Sequence, residues 1–326
     1  MHTKIVLAVL TCLVFCCACT AQKTATGALL VLNKADNTMV VVDAATLKIA
    51  ATVPTGEGPH EMTVSADGKL AFVANYGARQ HGHSLSVIDI AARKEVRRVE
   101  LGPLLRPHGI EAKDGKVYFI SELTRTVGRY DFTTNKIDWL TGTGQDGGHM
   151  LVLTPDGKRI YTANRVSNTV TSIDIGTPSS PGKMMQIATG SKPEGIDISP
   201  DGREVWVGNT GDGTIDIIDA ASNAIKQSFA VGKVPIRVKF TPDGKRVLVS
   251  DNGAGELIVI DAASRKVIKR IKAESSPVGM LIVPDGKKAF VARSGSGIVS
   301  VFDLETLTFT SDIKTGNAPD GMAWVE

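Results

Sequence analysis

The chain has 326 residues, a length that suits about two domains, with 42% apolar and 22% charged residues, the profile of a soluble globular protein. A net charge of +3 gives no electrostatic case for nucleic acid, and four cysteines are too few for a dense disulfide scaffold.

All four cysteines (Cys12, Cys16, Cys17 and Cys19) fall at the beginning of the chain. Lys4 supplies a short basic start, and residues 5–15 are almost wholly apolar. That run has the length of a signal-peptide core and is too short to span a bilayer. Small residues follow, from Ala18 to Ala21, so residues 1–21 are expected to be an export signal. Two cleavages compete. One leaves Cys19 as a lipid-bearing first residue; Ala18 fits the bacterial lipoprotein pattern, whereas Cys16 stands where Leu is usual. The other follows Ala21 and frees Gln22. Either way the mature chain keeps at most one cysteine, so its fold needs no disulfide and it holds no thiolate metal site. The expected location is the periplasm of a bacterium, or its membrane surface through that lipid alone.

From residue 27 to residue 326 the chain is periodic, which predicts one domain rather than two. Seven aspartates, each three residues before a small or hydroxyl residue, follow apolar strands: Asp43, Asp89, Asp131, Asp174, Asp219, Asp261 and Asp303, spaced 42 to 46 residues apart. Aspartate caps such turns by accepting bonds from backbone N–H groups further on. A second signature, Asp-Gly between apolar runs, marks tight hairpins at Asp67, Asp114, Asp156, Asp201, Asp243 and Asp285. There are six of these, not seven, because the seventh repeat is divided between the chain ends. Its first strand is expected at 321–325 and its other three at 28–33, 38–42 and 48–53. Four antiparallel strands per repeat, closed by joining the termini, predict an all-β, seven-bladed β-propeller. Radial closure hides the sheet edges that an open array would expose.

The second strands carry a recurring tetrad: Phe72-Val73-Ala74-Asn75, Tyr161-Thr162-Ala163-Asn164 and Trp206-Val207-Gly208-Asn209, with weaker copies at Leu30–Asn33 and Phe290–Arg293. With Pro-x-Gly before it and Asp-Gly-Lys between, the pattern resembles the YVTN-repeat β-propeller family over about residues 27–326. The resemblance implies the propeller fold. It leaves function open among periplasmic and surface binding propellers, lactonases and haem-carrying propeller domains of nitrite reductases.

In a propeller the first strand of each blade lines the central channel, and its opening residue lies at one mouth. Around the seven repeats these residues are His60, His108, His149, Glu194, Ile236, Val278 and Asp320. Chance would place about 0.1 of the five non-leader histidines in such a set. Three imidazoles and a carboxylate suit a divalent transition metal (Zn, Cu, Fe or Mn), with His60, His108, His149 and Glu194 as ligands. Glu194 is also the candidate general base, and Asp320 the candidate orienting carboxylate. His81 and His83 form a separate pair in the longest second-to-third strand loop. Arg79, Arg106, Glu122, Arg165, Arg237 and Arg293 are the candidate ligand-binding groups near the mouth, since guanidiniums grip carboxylate or phosphate through paired N–H groups. The tetrad asparagines Asn75, Asn164 and Asn209 are expected to cap their turns.

No nucleotide fingerprint, hydrolase elbow or zinc-protease helix motif occurs, and no Cys-x-x-Cys-His, so covalent haem and a nucleotide cofactor are not expected. The leading reading is an exported, monomeric binding propeller that takes a metal, or an anionic small-molecule or protein ligand, at its channel mouth. The alternative is a metal-dependent hydrolase, lyase or oxidase; a metal-free lactonase-like hydrolase is the third.

Overall fold

The computed structural model of the protein describes residues 27–176 and 182–326. The leader and its cleavage sites lie outside the described residues, as does Thr177. Seven four-stranded antiparallel sheets stand in a ring, and a single turn of 3₁₀ helix, Ser294–Ser296, interrupts the strands. Blades 1 to 6 span residues 59–100, 107–142, 148–188, 193–230, 235–272 and 277–314. Blade 7 joins Pro319–Val325 to Ala28–Asn33, Thr38–Asp43 and Lys48–Pro54, with Ala28 opposite Val325, so the split repeat closes the ring as the missing hairpin implied.

The two turn signatures do what their chemistry predicts. Asp43 Oδ1 accepts hydrogen bonds from the Thr46 amide and hydroxyl, both at 2.7 Å, and Asp89, Asp219, Asp261 and Asp303 repeat the pattern on the backbone. Each hairpin glycine takes the left-handed conformation that a side chain disfavours, for example Gly68 at φ +67° and Gly202 at φ +72°. The second and third strands of every blade are almost wholly buried and rich in Val, Ile and Leu. Their side chains fill the seams between neighbouring blades, where Trp206, Phe229 and Phe240 pack edge to face.

The tetrad asparagines are structural. Asn164 is fully buried and its amide donates to the Thr169 and Thr171 hydroxyls at 3.0 and 2.8 Å, tying the second strand to the third. Asn75 does the same through Ser84 and Ser86, at 3.1 and 3.0 Å.

Two features shape the mouth. Every inner strand carries a bulge at its opening residues, as between Pro59 and Met62 or Pro193 and Ile196, which re-aims the side chain that follows the proline. Neighbouring inner strands also pass very close. A Cβ on Gly279 would lie 2.0 Å from the Asp320 carbonyl oxygen, and one on Gly321 2.4 Å from that of His60. In the four blades that carry it, at Gly109, Gly195, Gly279 and Gly321, the glycine of Pro-x-Gly is required by the close approach of the neighbouring inner strand.

Candidate functional site

The bulged inner strands deliver all seven register residues to one place. His60, His108, His149, Glu194, Ile236, Val278 and Asp320 line a cavity of about 330 Å³ at the channel mouth. Lys34, Tyr76, Arg165, Thr210, Val234 and Arg237 complete its wall.

The imidazoles form a continuous arc. The His108 and His149 rings lie 3.7 Å apart between centroids, His60 and His108 5.1 Å apart, and Tyr76 packs on His60 at 4.5 Å. His60 Nδ1 lies 3.0 Å from the Gly58 carbonyl oxygen, which makes Nδ1 the donor and leaves Nε2 with the lone pair. Burial pushes the His60 imidazole down to about 4. Burial, with His149 and His60 beside it, holds His108 well below the ordinary imidazole value. Both rings are therefore neutral near pH 7, and the buried His108 Nδ1 has no hydrogen-bond partner.

His149 differs. Its Nδ1 faces Glu122 and its Nε2 faces Glu194, each at 3.5 Å. Burial would lower its pKa, but the pull of the two facing carboxylates outweighs burial and raises it. Three groups face Glu194 at charge-pairing distance: His149 Nε2 at 3.5 Å, Arg165 Nε at 3.0 Å and Arg237 Nη1 at 3.8 Å. Burial would raise the Glu194 carboxyl; these partners override that and hold it below the usual carboxylate range. Arg237 bonds Glu61 and lies 3.5 Å from Asp320, and Asp320 accepts from Lys34 Nζ at 2.7 Å. Lys34 and Arg237 outweigh burial at Asp320 and lower its pKa, whereas burial raises the Glu61 carboxyl despite Arg237. Among the described residues, no group of three or more His, Cys, Asp or Glu side chains is placed to hold one metal ion.

A model of the YNCE-like β-propeller family matches residues 18–118 and 180–288. The chain belongs to that family. No curated protein matches it. The solved structures similar to this YNCE-like propeller include the following three. A functionally unknown protein from Desulfotomaculum acetoxidans superposes with a TM-score of 0.77 at 16% identity, over 92% of this chain and 99% of that one. A candidate 6-phosphogluconolactonase from Bacteroides fragilis gives 0.76 at 16%, over 94% and 99%. Hydrazine synthase from Kuenenia stuttgartiensis gives 0.69 at 21%, over 81% and 88%. At such identities the likeness is one of fold, a seven-bladed propeller of the YVTN type that lactonase-like proteins share.

The structure sorts the remaining sequence candidates. Arg165 and Arg237 line the cavity. Glu122 and Arg106 stand behind its wall, joined through the Tyr76 hydroxyl, which donates to Glu122 at 3.0 Å and accepts from Arg106 at 2.7 Å. His81 accepts from Arg106 at 2.8 Å and His83 lies 3.1 Å from Glu100, both outside the cavity lining. Arg79 is exposed and is not among the lining residues. Arg293 is also absent from the lining; it occupies the tetrad-end position, where its guanidinium packs 4.9 Å from the Phe309 ring centroid and 3.8 Å from Asp312.

Lys34, Tyr76, Thr210 and Glu61 are additions from the structure. The first three share a register with Glu122 and Arg165: each immediately follows the last residue of its blade's second strand. That register was readable as the position after each tetrad asparagine. Glu61 and Arg237 occupy the place of the Pro-x-Gly glycine, so the departure from glycine was their signal.

Proposed function

We propose that this chain is an exported binding propeller that takes a small anionic ligand at the mouth of its central channel. The observation that carries this reading is the charge of the cavity wall. Of the lining side chains three are full cations (Lys34, Arg165 and Arg237) and two are carboxylates (Glu194 and Asp320), while burial raises the carboxyl of Glu61, the Arg237 partner behind them, toward its neutral form. Surplus positive charge in a concave, partly desolvated site favours an anion. Glu194 is held ionised and away from the neutral pKa that suits a general base, which supports a role in fixing Arg165 and Arg237 over proton abstraction. Calorimetric titration of the purified protein with acetate and inorganic phosphate at low ionic strength tests the reading. Saturable binding of at least one of them, weakened by added salt, is expected; failure of both to bind sinks it.

A second reading is favoured by two specific atoms, His60 Nε2 and the partnerless His108 Nδ1. Neutral imidazoles with available lone pairs suit Zn, Cu, Fe or Mn, with His149 and Glu194 completing the set. Such an ion would supply Lewis acidity for hydrolase, lyase or oxidase chemistry. For this the His149 ring must part from its two carboxylates and from its stack on His108. Elemental analysis decides: about one equivalent of transition metal in the wild type and little in His108→Ala supports it. No uptake when the metals are supplied rejects it.

A further inference from the structure

We propose that the anion taken at the mouth is a small monocarboxylic acid with an apolar body: its carboxylate lies on Arg165, and its body lies against Val234, Ile236 and Val278. This rests on the anion reading above and narrows it to one chemical class.

The head group follows from which donors remain. Lys34 is engaged with Asp320 at 2.7 Å, and Arg237 with Glu61 and Asp320. Arg165 approaches Glu194 most closely through Nε, at 3.0 Å, and its side chain is 40% exposed. Among the described residues, neither of its terminal nitrogens donates a hydrogen bond to the protein, so both remain available to a ligand. A planar guanidinium with both terminal N–H groups available matches a carboxylate in paired fashion. One unengaged cation suits a single negative charge better than a phosphate monoester, which carries about two.

The body follows from the break in the ring. Five of the seven register positions are His, Glu or Asp, whereas blades 5 and 6 place Ile236 and Val278 there. Both are half-buried, and Val234 adjoins them in the cavity wall. In a ring of seven, the boundary of blades 6 and 7 stands opposite blade 3, which carries Arg165. A ligand gripped at Arg165 therefore extends across the mouth toward Val278 and Ile236. Removing apolar ligand surface from water there strengthens binding with each added methylene.

The test is calorimetry on purified, chelator-treated protein at fixed ionic strength, with acetate, butanoate, hexanoate and the neutral hexanamide as probes. Affinity is expected to rise about fourfold per methylene along the acids. Hexanoate should bind at least tenfold more tightly than hexanamide. Arg165→Gln should erase the acid-over-amide preference while keeping the chain-length gain. Val278→Ser should reduce the chain-length gain while keeping the preference. Equal binding of hexanoate and hexanamide to the wild type overturns the head-group assignment. Binding of acetate and phosphate with no chain-length gain overturns the apolar-body assignment and leaves the anion reading standing. Binding of no anion overturns both.

Discussion

The blade bodies and the channel mouth obey opposite rules. Inside the blades, equivalent positions carry equivalent residues: the tetrad asparagine in blades 1, 3, 4 and 7, the capping aspartate at every third-strand end, and Val, Ile or Leu between. At the mouth, equivalent positions carry His, His, His, Glu, Ile, Val and Asp. Seams between blades are dry and close-packed, so residue choice there is limited by volume and by the need to satisfy buried polar groups. A side chain at the mouth faces a cavity and meets few such limits. The repeat fixes where side chains are delivered, and departures from it supply the chemistry.

Breaking the seam should have the largest effect. Trp206 is fully buried against Phe240 and Phe229, so Trp206→Ala should cost about 3–5 kcal/mol in denaturant unfolding. Ligand affinity of the protein that remains folded should not change. Loss of affinity without loss of stability would contradict the separation of seam from mouth.

A smaller effect tests the channel between the two. Glu111 lies on the inner strand Pro107–Lys113, where its Oε2 accepts the Leu153 amide at 2.9 Å. Burial pushes its carboxyl from 4.5 up to about 7. The folded state therefore holds a proton that the unfolded state has released, and stability falls as pH rises across that window. Glu111→Gln keeps the acceptor and removes the charge. It should stabilise the protein at pH 8 by on the order of 1–2 kcal/mol and give no gain near pH 4, seen as unfolding midpoints at the two pH values.

The smallest effect is expected at Arg79, which is exposed and outside the cavity lining. Arg79→Ala should change stability by less than about 0.5 kcal/mol and leave carboxylate affinity unaltered. A tenfold loss of affinity would move the mouth outward to include the 76–84 loop.

The fold was legible because turn chemistry repeats. Seven capping aspartates and six Asp-Gly hairpins gave both the blade number and the position of the closing strand. The inner register was legible because proline or glycine opens every first strand, and all seven of its residues do line one cavity. The second register was only half legible. Ser121, Asp251 and Arg293 replace the tetrad asparagine in three blades, which hides the register whose members Lys34, Tyr76, Arg165 and Thr210 line the mouth in the other four. The charge of Arg165 marks it as a candidate in the sequence, whereas nothing local marks Lys34, Tyr76 and Thr210 in the same register. Arg293 was assigned to the mouth because of its guanidinium, but strand alternation turns the tetrad-end side chain into the blade. Pairing partners such as Glu61 with Arg237 join blades 1 and 5 across the axis, and no local pattern announces a contact of that kind.

The pairing of Ala28 with Val325 makes the ring a buckle fastened last. Until Pro319–Val325 docks, blade 7 lacks its inner strand, and Ala28–Asn33 presents an open strand edge. Trp324, on the strand that docks, stacks on Phe290 at 6.0 Å between centroids and ties that strand to blade 6. Long-range closure is slow compared with hairpin formation, so the unbuckled chain has time to pair with a second copy. Of the described segments, the seven-residue strand Pro319–Val325 therefore bears most directly on whether the ring closes on itself or on another copy.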